Sequence, residues 1–558
     1  MKKISYLPIV MGIIACLCLA VGAFIWATGL IDSVYAYRSP LHDNPPTPGK
    51  PVGPPLTRSV VFVLVDALRL DTSLKPDIMP FLNELRSQGA WAVMHSRPPS
   101  YSDPSYSVLL TGAGPDLSDG PTFNVPYEET PTLTQDNIFL AAKRNGLNTA
   151  LSGYYWFEKL VPQQAVDVSF YTPGEDQAAD RQVVDAALPW LEGSEHNLVL
   201  IHLDQVDYAG HYEGGPRDPR WEAAARRADD MIREIASQLD LSRDTMFVAS
   251  DHGQIDQGGH GGHEPVLLLE PFVLVGAGVI PGEYGDVNMV DVAPTLSVLV
   301  GANIPAATQG HVLEEMLTLS EVHKNALPSV TYDQQKQLLE AYQRAIGVEI
   351  EQAPPMKTSA GQVVDDFQAA LEATRWDRLR SERLGRAVLA SALFLLPLVF
   401  LIWKRGKDIA FMLVGALFYH VLFHFRYATL DRLPYSLSWV DSQEALIQYI
   451  GVTAAIALGL VWSMIWLALK AWLRKPRQAA EFGLGLTLTV IYTLSLPPLW
   501  SFILNGAFVT WTLPDFPSLY LGFISVLQIL VVAVLGLAET GIAALISRFA
   551  HIETVRPS

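Results

Sequence analysis

Three hydrophobic rhythms succeed one another along the chain. From residue 8 to residue 31 the run PIVMGIIACLCLAVGAFIWATGLI is nearly uncharged, and it is long enough for a helix to cross a bilayer core of roughly 30 Å. It exceeds the apolar core of a secretory signal, roughly 7 to 15 residues, and lacks a clean A-x-A exit, so it predicts an uncleaved transmembrane anchor over residues 1–31. A Pro-rich linker at 32–58 follows. Between 59 and 320 short apolar runs (VVFVLV, NLVLIHL, TMFVAS, PFVLVG) alternate with longer amphipathic stretches. This is the rhythm of strands crossing over to helices, and it predicts an α/β domain, an α/β/α sandwich with a mainly parallel sheet.

Residues 321–385 turn polar and helix-favouring (YDQQKQLLEAYQRAIGVE, DFQAALEATRWDRLRSERL) and predict a helical stalk. Five more apolar stretches, near 387–403, 409–425, 445–469, 482–506 and 518–538, predict a transmembrane bundle over 386–546 before a tail at 547–558. That makes six spans. The basic segments MKK, KRGK and LRKPR fall on one side of this arrangement, which places both termini in the cytoplasm and the α/β domain on the extracytoplasmic face. Within the bundle, Pro497 and Pro498 remove backbone donors and predict a kink. His420 and His424 lie four apart at membrane depth, where interhelical hydrogen bonds are the first explanation, and Glu539 falls near the cytoplasmic end of the last span.

Composition narrows the chemistry. Half of the residues are hydrophobic and only 17% are charged, in keeping with several membrane segments. The net charge of −18 argues against a nucleic-acid partner, so an anionic substrate needs a metal to meet it. Both cysteines, Cys16 and Cys18, sit inside the first apolar run. Neither a disulfide framework nor a thiolate zinc cluster is available, and a metal site must draw on Asp, Glu and His.

Four segments supply such ligands. VVFVLVDALRLD ends an apolar run at Asp66, and TMFVASDHGQ ends one at Asp251 and His252; open α/β sheets build their sites at these carboxyl ends. In LIHLDQVDYAGH, Asp207 and His211 are four apart, which puts them on one face of a helical turn. GGHGGHE offers His260 and His263 in a Gly-rich loop. Each alone is more readily a cap or a surface group; jointly they point to metal. The nucleophile candidate is Ser102 in RPPSYSDPSYSVLLTG, at the start of a helix opened by Pro104. A helix N-terminus receives phosphate well, and a divalent cation activates a serine hydroxyl.

Together these motifs resemble the alkaline phosphatase superfamily, in particular its nucleotide pyrophosphatase/phosphodiesterase and glycolipid-anchor ethanolamine phosphate transferase branches. PSYSDPSYSVLLTG is similar to the pyrophosphatase nucleophile segment, LDQVDYAGHYEGGP to the Asp-x-x-x-His segment, and VDVAPTLSVLVGANIP to the helix after the last ligand; the likeness covers about residues 59–310. It implies two divalent metal ions, zinc with manganese as the second choice. Asp66, Ser102, Asp251 and His252 would surround one ion, while Asp207, His211 and His260 would hold the other, with His263 as the alternative third ligand. Asn124 would contact the phosphate. The layout is similar to the glycolipid-anchor transferases, with a shorter bundle. The resemblance implies a membrane-bound phosphoesterase or phosphotransferase working through a phosphoseryl intermediate on a phosphodiester or phosphomonoester, with a lipid headgroup among the substrates. One rival is a sulfatase-like hydrolase, whose motif Ser102-Asp-Pro-Ser-Tyr106 approaches but for Tyr106 in place of arginine. The other is an inactive membrane scaffold or lipid-handling protein.

Overall fold

In the computed structural model, residues 7–193, 195–349, 352–404, 407–440, 442–469 and 475–555 are described. Of the segments used for the orientation, residues 1–3, 405–406 and 473–474 lie outside them. Eight strands make one sheet: β1 (Ser59–Val65), β2 (Ala90–His95), β3 (Thr149–Tyr154), β4 (Val168–Thr172), β5 (Leu198–Leu203), β6 (Asp244–Ala249), β7 (Leu269–Gly276) and β8 (Gly282–Asn288), in the order β4-β3-β5-β1-β6-β7-β2-β8. The run from β4 to β6 is parallel, whereas β7 lies antiparallel to both β6 and β2.

The continuous apolar text of β1, β5 and β6 follows from burial on both faces. Phe62, Leu64, Leu200 and Phe247 enter one core with Tyr106 and Leu109 of the helix Ser102–Thr111. Val61, Val63, Ile201 and Val248 enter the other, against Val183 and Ile232 of the helices Gln177–Glu192 and Pro219–Ala236. Period two thus feeds two cores, which makes an α/β/α sandwich. The register Leu64↔His202 and Leu64↔Ala249 brings the carboxyl ends of β5, β1 and β6 side by side.

The polar stretch after the sheet forms two helices, Glu321–Ala345 and Ala360–Lys404. They join through Leu338, Tyr342, Phe367 and Leu371, which also cover Leu117 of the sandwich. His311 adds a polar tie: its Nδ1 lies 3.5 Å from Asp291 and its Nε2 3.0 Å from Asp365 on the second helix. The hydrogen bond to Asp291 raises His311 to about 9. A group raised in the fold stabilises fully below its unfolded value near 6.5, and that contribution is lost as pH climbs through about 9. His311→Gln should therefore lower the melting temperature by roughly 2–4 °C, the shift expected for about 1 kcal/mol, at pH 6 and by nothing above pH 10. A deficit that persists at high pH contradicts the charged tie.

Among the described residues, five helices are long and apolar enough to cross a membrane, within Leu7–Tyr35, Asp408–Leu430, Gln443–Ala468, Pro476–Asn505 and Phe516–Arg548. The chain is a multi-pass membrane protein. The sixth expected stretch, 387–403, is the carboxyl half of the helix ending at Lys404, and the side chains of 396 and 400–404 lie outside the described residues. The first helix packs through Cys16, Ala20, Ala23 and Ala27, a stripe of small side chains that lets helices approach closely. The fourth breaks at Ser495, with Pro497 and Pro498 in the first turn of Leu496–Asn505. His420 bonds Thr493 at 2.9 Å and His424 bonds Tyr435 at 2.7 Å, so both are spent on contacts inside the bundle.

Candidate active site

Three adjacent strand ends deliver the acids. Asp66 follows β1, Asp204 and Asp207 follow β5, and Asp251 with His252 follow β6. The helix Ser102–Thr111 lies over these ends with its N-terminus inward, and it is buried from first residue to last. The Ser102 hydroxyl is 3.2 Å from His252 Nε2. Because His252 Nδ1 sits 3.0 Å from the Gly253 carbonyl, to which it donates, Nε2 keeps its lone pair on the serine side. Asn124 Nδ2 donates to the Ser102 oxygen at 3.4 Å, while its Oδ1 accepts the Asp103 N–H at 3.1 Å.

Around His252 Nε2 the carboxylates converge, with Asp251 at 3.3 Å and Asp66 at 3.5 Å. Burial raises Asp66 to about 6, with the charge of Asp251 adding to it, and burial raises Asp251 to about 7. Asp66 Oδ1 and Asp251 Oδ2 are buried and accept no hydrogen bond. Two acids crowded with open lone pairs in a water-poor pocket resist joint ionisation unless a cation sits between them. This donor set fits a divalent ion.

A second group lies alongside. His211 Nε2 and His260 Nε2 face each other at 2.9 Å, and Asp207 is 3.5 Å from the first and 3.6 Å from the second. His260 Nδ1 donates to the Ser100 carbonyl, which turns its Nε2 toward the acid. Burial alone would raise Asp207, but His211 and His260 outweigh it and hold its carboxyl below the ordinary range. The His252 and His260 rings stack with centroids 4.1 Å apart, so the two groups share a wall. These donors fit a second divalent ion. His263 is exposed, outside the cluster, and its backbone N–H is bonded to Glu264.

Sequence reasoning missed the supports. Asp66 Oδ2 accepts from Tyr106 and lies 3.0 Å from His202 Nε2, which leaves Oδ1 to face His252. Tyr106 therefore does structural work where a sulfatase motif carries arginine. Gln254 donates to Asp207 at 2.5 Å. Glu264 binds the loop of His260 to the membrane bundle: its two carboxylate oxygens accept Ser436 and Ser438, each at 2.5 Å. Ser438 presses its carbonyl on Gly259 (φ 102°), where any Cβ would come within 2.3 Å. Trp439 pins that segment by donating to Tyr427 and Tyr520 at 2.9 Å. Of these, only His202, a lone imidazole in an otherwise apolar strand, left a trace in the sequence.

The type I phosphodiesterase/nucleotide pyrophosphatase family model matches residues 60–345, just over half of the chain. The chain belongs to this family. Its match runs beyond the stretch to 310 that the motifs resemble, through the helix Glu321–Ala345. Curated relatives include human GPI ethanolamine phosphate transferase 2, catalytic subunit, 27% identical over 280 residues, which are 47% of this chain and 28% of that protein. Mouse GPI ethanolamine phosphate transferase 1 is 27% identical over 338 residues, 51% of this chain and 35% of that protein. The chain thus spans about a third or less of the length of these relatives. Among solved structures, human ectonucleotide pyrophosphatase/phosphodiesterase 5 is 13% identical with a TM-score of 0.36, covering 44% of this chain and 95% of that one. An alkaline phosphatase superfamily protein from Vibrio parahaemolyticus is 15% identical with a TM-score of 0.37, covering 49% and 73%. A member of a phosphodiesterase family with this arrangement of acids, imidazoles and serine has what phosphoryl chemistry requires.

A cavity of about 510 Å³ opens from the site. Its lining includes Ser102, Asp207 and His260 together with Leu30, Leu446 and Phe523 of three apolar helices.

Proposed function

We propose that this phosphodiesterase-family protein is a phosphotransferase that moves a phosphorylated headgroup, of the ethanolamine phosphate type named for its relatives, between lipid-linked molecules. The observation that carries the reading is the cavity, which joins the Ser102 site to the faces of membrane helices. A lipid whose tails lie among those helices can present its headgroup phosphate to the serine. The extracytoplasmic placement of the site, six spans and cytoplasmic termini belong to the same proposal and rest on the distribution of basic segments.

Asp66, Asp251 and His252, with the Ser102 oxygen, would hold one ion, and Asp207, His211 and His260 the other. Mixed carboxylate and imidazole donors favour zinc over manganese. Divalent ions held at these places would lower the pKa of the serine hydroxyl and offset charge on the phosphoryl oxygens, worth several kcal/mol. Ser102 Oγ attacks phosphorus, the bond to the leaving oxygen breaks, and the serine proton ends on the departing alcohol. Asn124, placed beside Ser102 Oγ by the Asp103 backbone, donates to a phosphoryl oxygen. A second alcohol then attacks the phosphoseryl ester and returns the proton. Water in place of that alcohol gives hydrolysis.

Purified full-length protein loaded with zinc, given a phosphomonoester, a phosphodiester and a phosphoethanolamine lipid, should turn over the lipid and pass its headgroup to an added alcohol. Turnover of the soluble esters without the lipid contradicts the transferase reading.

A further inference from the structure

We propose that Asp204 and Glu175 form a cation-binding subsite beside the phosphoryl centre, which takes the ammonium group of the transferred headgroup. The inference rests on the phosphotransferase reading and adds the residues that choose the headgroup.

Asp204 stands just past β5 and lines the cavity, with 6% of its surface exposed. Its backbone N–H is held by Asp180 at 2.7 Å, which fixes the turn. Among the described residues, its carboxylate accepts no hydrogen bond and meets no Lys or Arg. Glu175 reaches the same cavity from the segment after β4. One of its oxygens accepts the Tyr154 hydroxyl at 2.8 Å, and the other has no partner among the described residues. Among the described residues no lysine or arginine lines the cavity, while Tyr154, Trp156 and Tyr212 do. A buried carboxylate without a partner is costly. An ammonium group repays that cost, because it brings charge and three donors to the acids, and aromatic faces attract it as well.

A metal ion is the competing occupant, since donor atoms of Asp66, His202 and Asp204 lie within 4.8 Å of one another. The arrangement disfavours it. His202 Nε2 is already taken up with Asp66 Oδ2 and Tyr106, and Asp66 Oδ1 faces His252 on the other side, so besides Asp204 itself an ion would find only the buried His202 Nδ1 without a partner. Asp204 is thereby left to a ligand that enters from the cavity.

The test compares two p-nitrophenyl phosphodiesters that differ only in the second ester, 2-aminoethyl or propyl, on zinc-loaded full-length protein. The wild type should favour the aminoethyl ester in kcat/KM by roughly tenfold or more, the scale of a charged hydrogen bond. Glu175→Gln and Asp204→Asn should each bring that ratio toward one, with bound zinc unchanged by metal analysis. A wild-type ratio near one, or a ratio that survives both substitutions, overturns the subsite and leaves the phosphotransferase reading standing. Loss of a zinc equivalent in Asp204→Asn overturns it too, because Asp204 is then a ligand. Failure of wild type to cleave either ester overturns both readings.

Discussion

Ser102→Ala should abolish turnover, by a factor on the order of 10⁴ to 10⁶, while the protein still binds close to two metal equivalents. In the proposed mechanism the hydroxyl is the nucleophile, and His252 Nε2 and Asn124 Nδ2 both address that one oxygen. The proposed cations would rest mainly on Asp66, Asp251, His252, Asp207, His211 and His260, so the loss of one neutral oxygen should leave their affinity largely intact. The fold should tolerate the change, because alanine removes a single atom from a serine whose hydroxyl contacts only the site. Metal analysis and steady-state rates on one preparation separate the two effects. Residual turnover near that of wild type contradicts the assignment.

His260→Ala should lose one of the two metal equivalents and most of the activity, whereas His263→Ala should change neither. The two imidazoles are three residues apart in one Gly-rich loop, yet they point to different environments. His260 is buried between His252 and His211 with Nδ1 anchored on Ser100, and His263 is exposed. A cation is worth several kcal/mol to the transition state, so its loss should cost on the order of 10³-fold at about 1.4 kcal/mol per factor of ten. Equal metal loss in both variants, or loss in His263→Ala alone, contradicts the arrangement.

The centre of this fold was legible because β1, β5 and β6 are buried on both faces and read as unbroken apolar runs, and each ends at an acid. Asp66 and Asp251 follow from that rule with no knowledge of the sheet order, while Asp207 came from its four-residue spacing to His211. The edge strand β8, GEYGDVN, is mostly solvent-facing and has no apolar rhythm, and the interior strand β7, though antiparallel to both of its neighbours, reads like the parallel strands. Asp204 escaped notice although it follows a strand as Asp66 does, because the Asp207-His211 spacing beside it drew the chemistry to itself. Tyr106 looked like a missing arginine until its hydroxyl was seen on Asp66. The contact between Glu264 and Ser436 joins residues 172 positions apart, and no local pattern encodes it. Through that contact a loop of the membrane bundle braces the loop of His260, a role the sequence left blank.

The most direct measurement is the identity of the group that carries the substrate's phosphate during turnover. Full-length protein loaded with zinc and quenched in acid while it consumes a phosphoethanolamine lipid should yield one peptide, spanning Ser102, heavier by the transferred headgroup phosphate, and that peptide should return to its unmodified mass when excess acceptor alcohol is added before the quench. A covalent adduct on any other residue, or turnover with Ser102 unmodified throughout, would contradict the account.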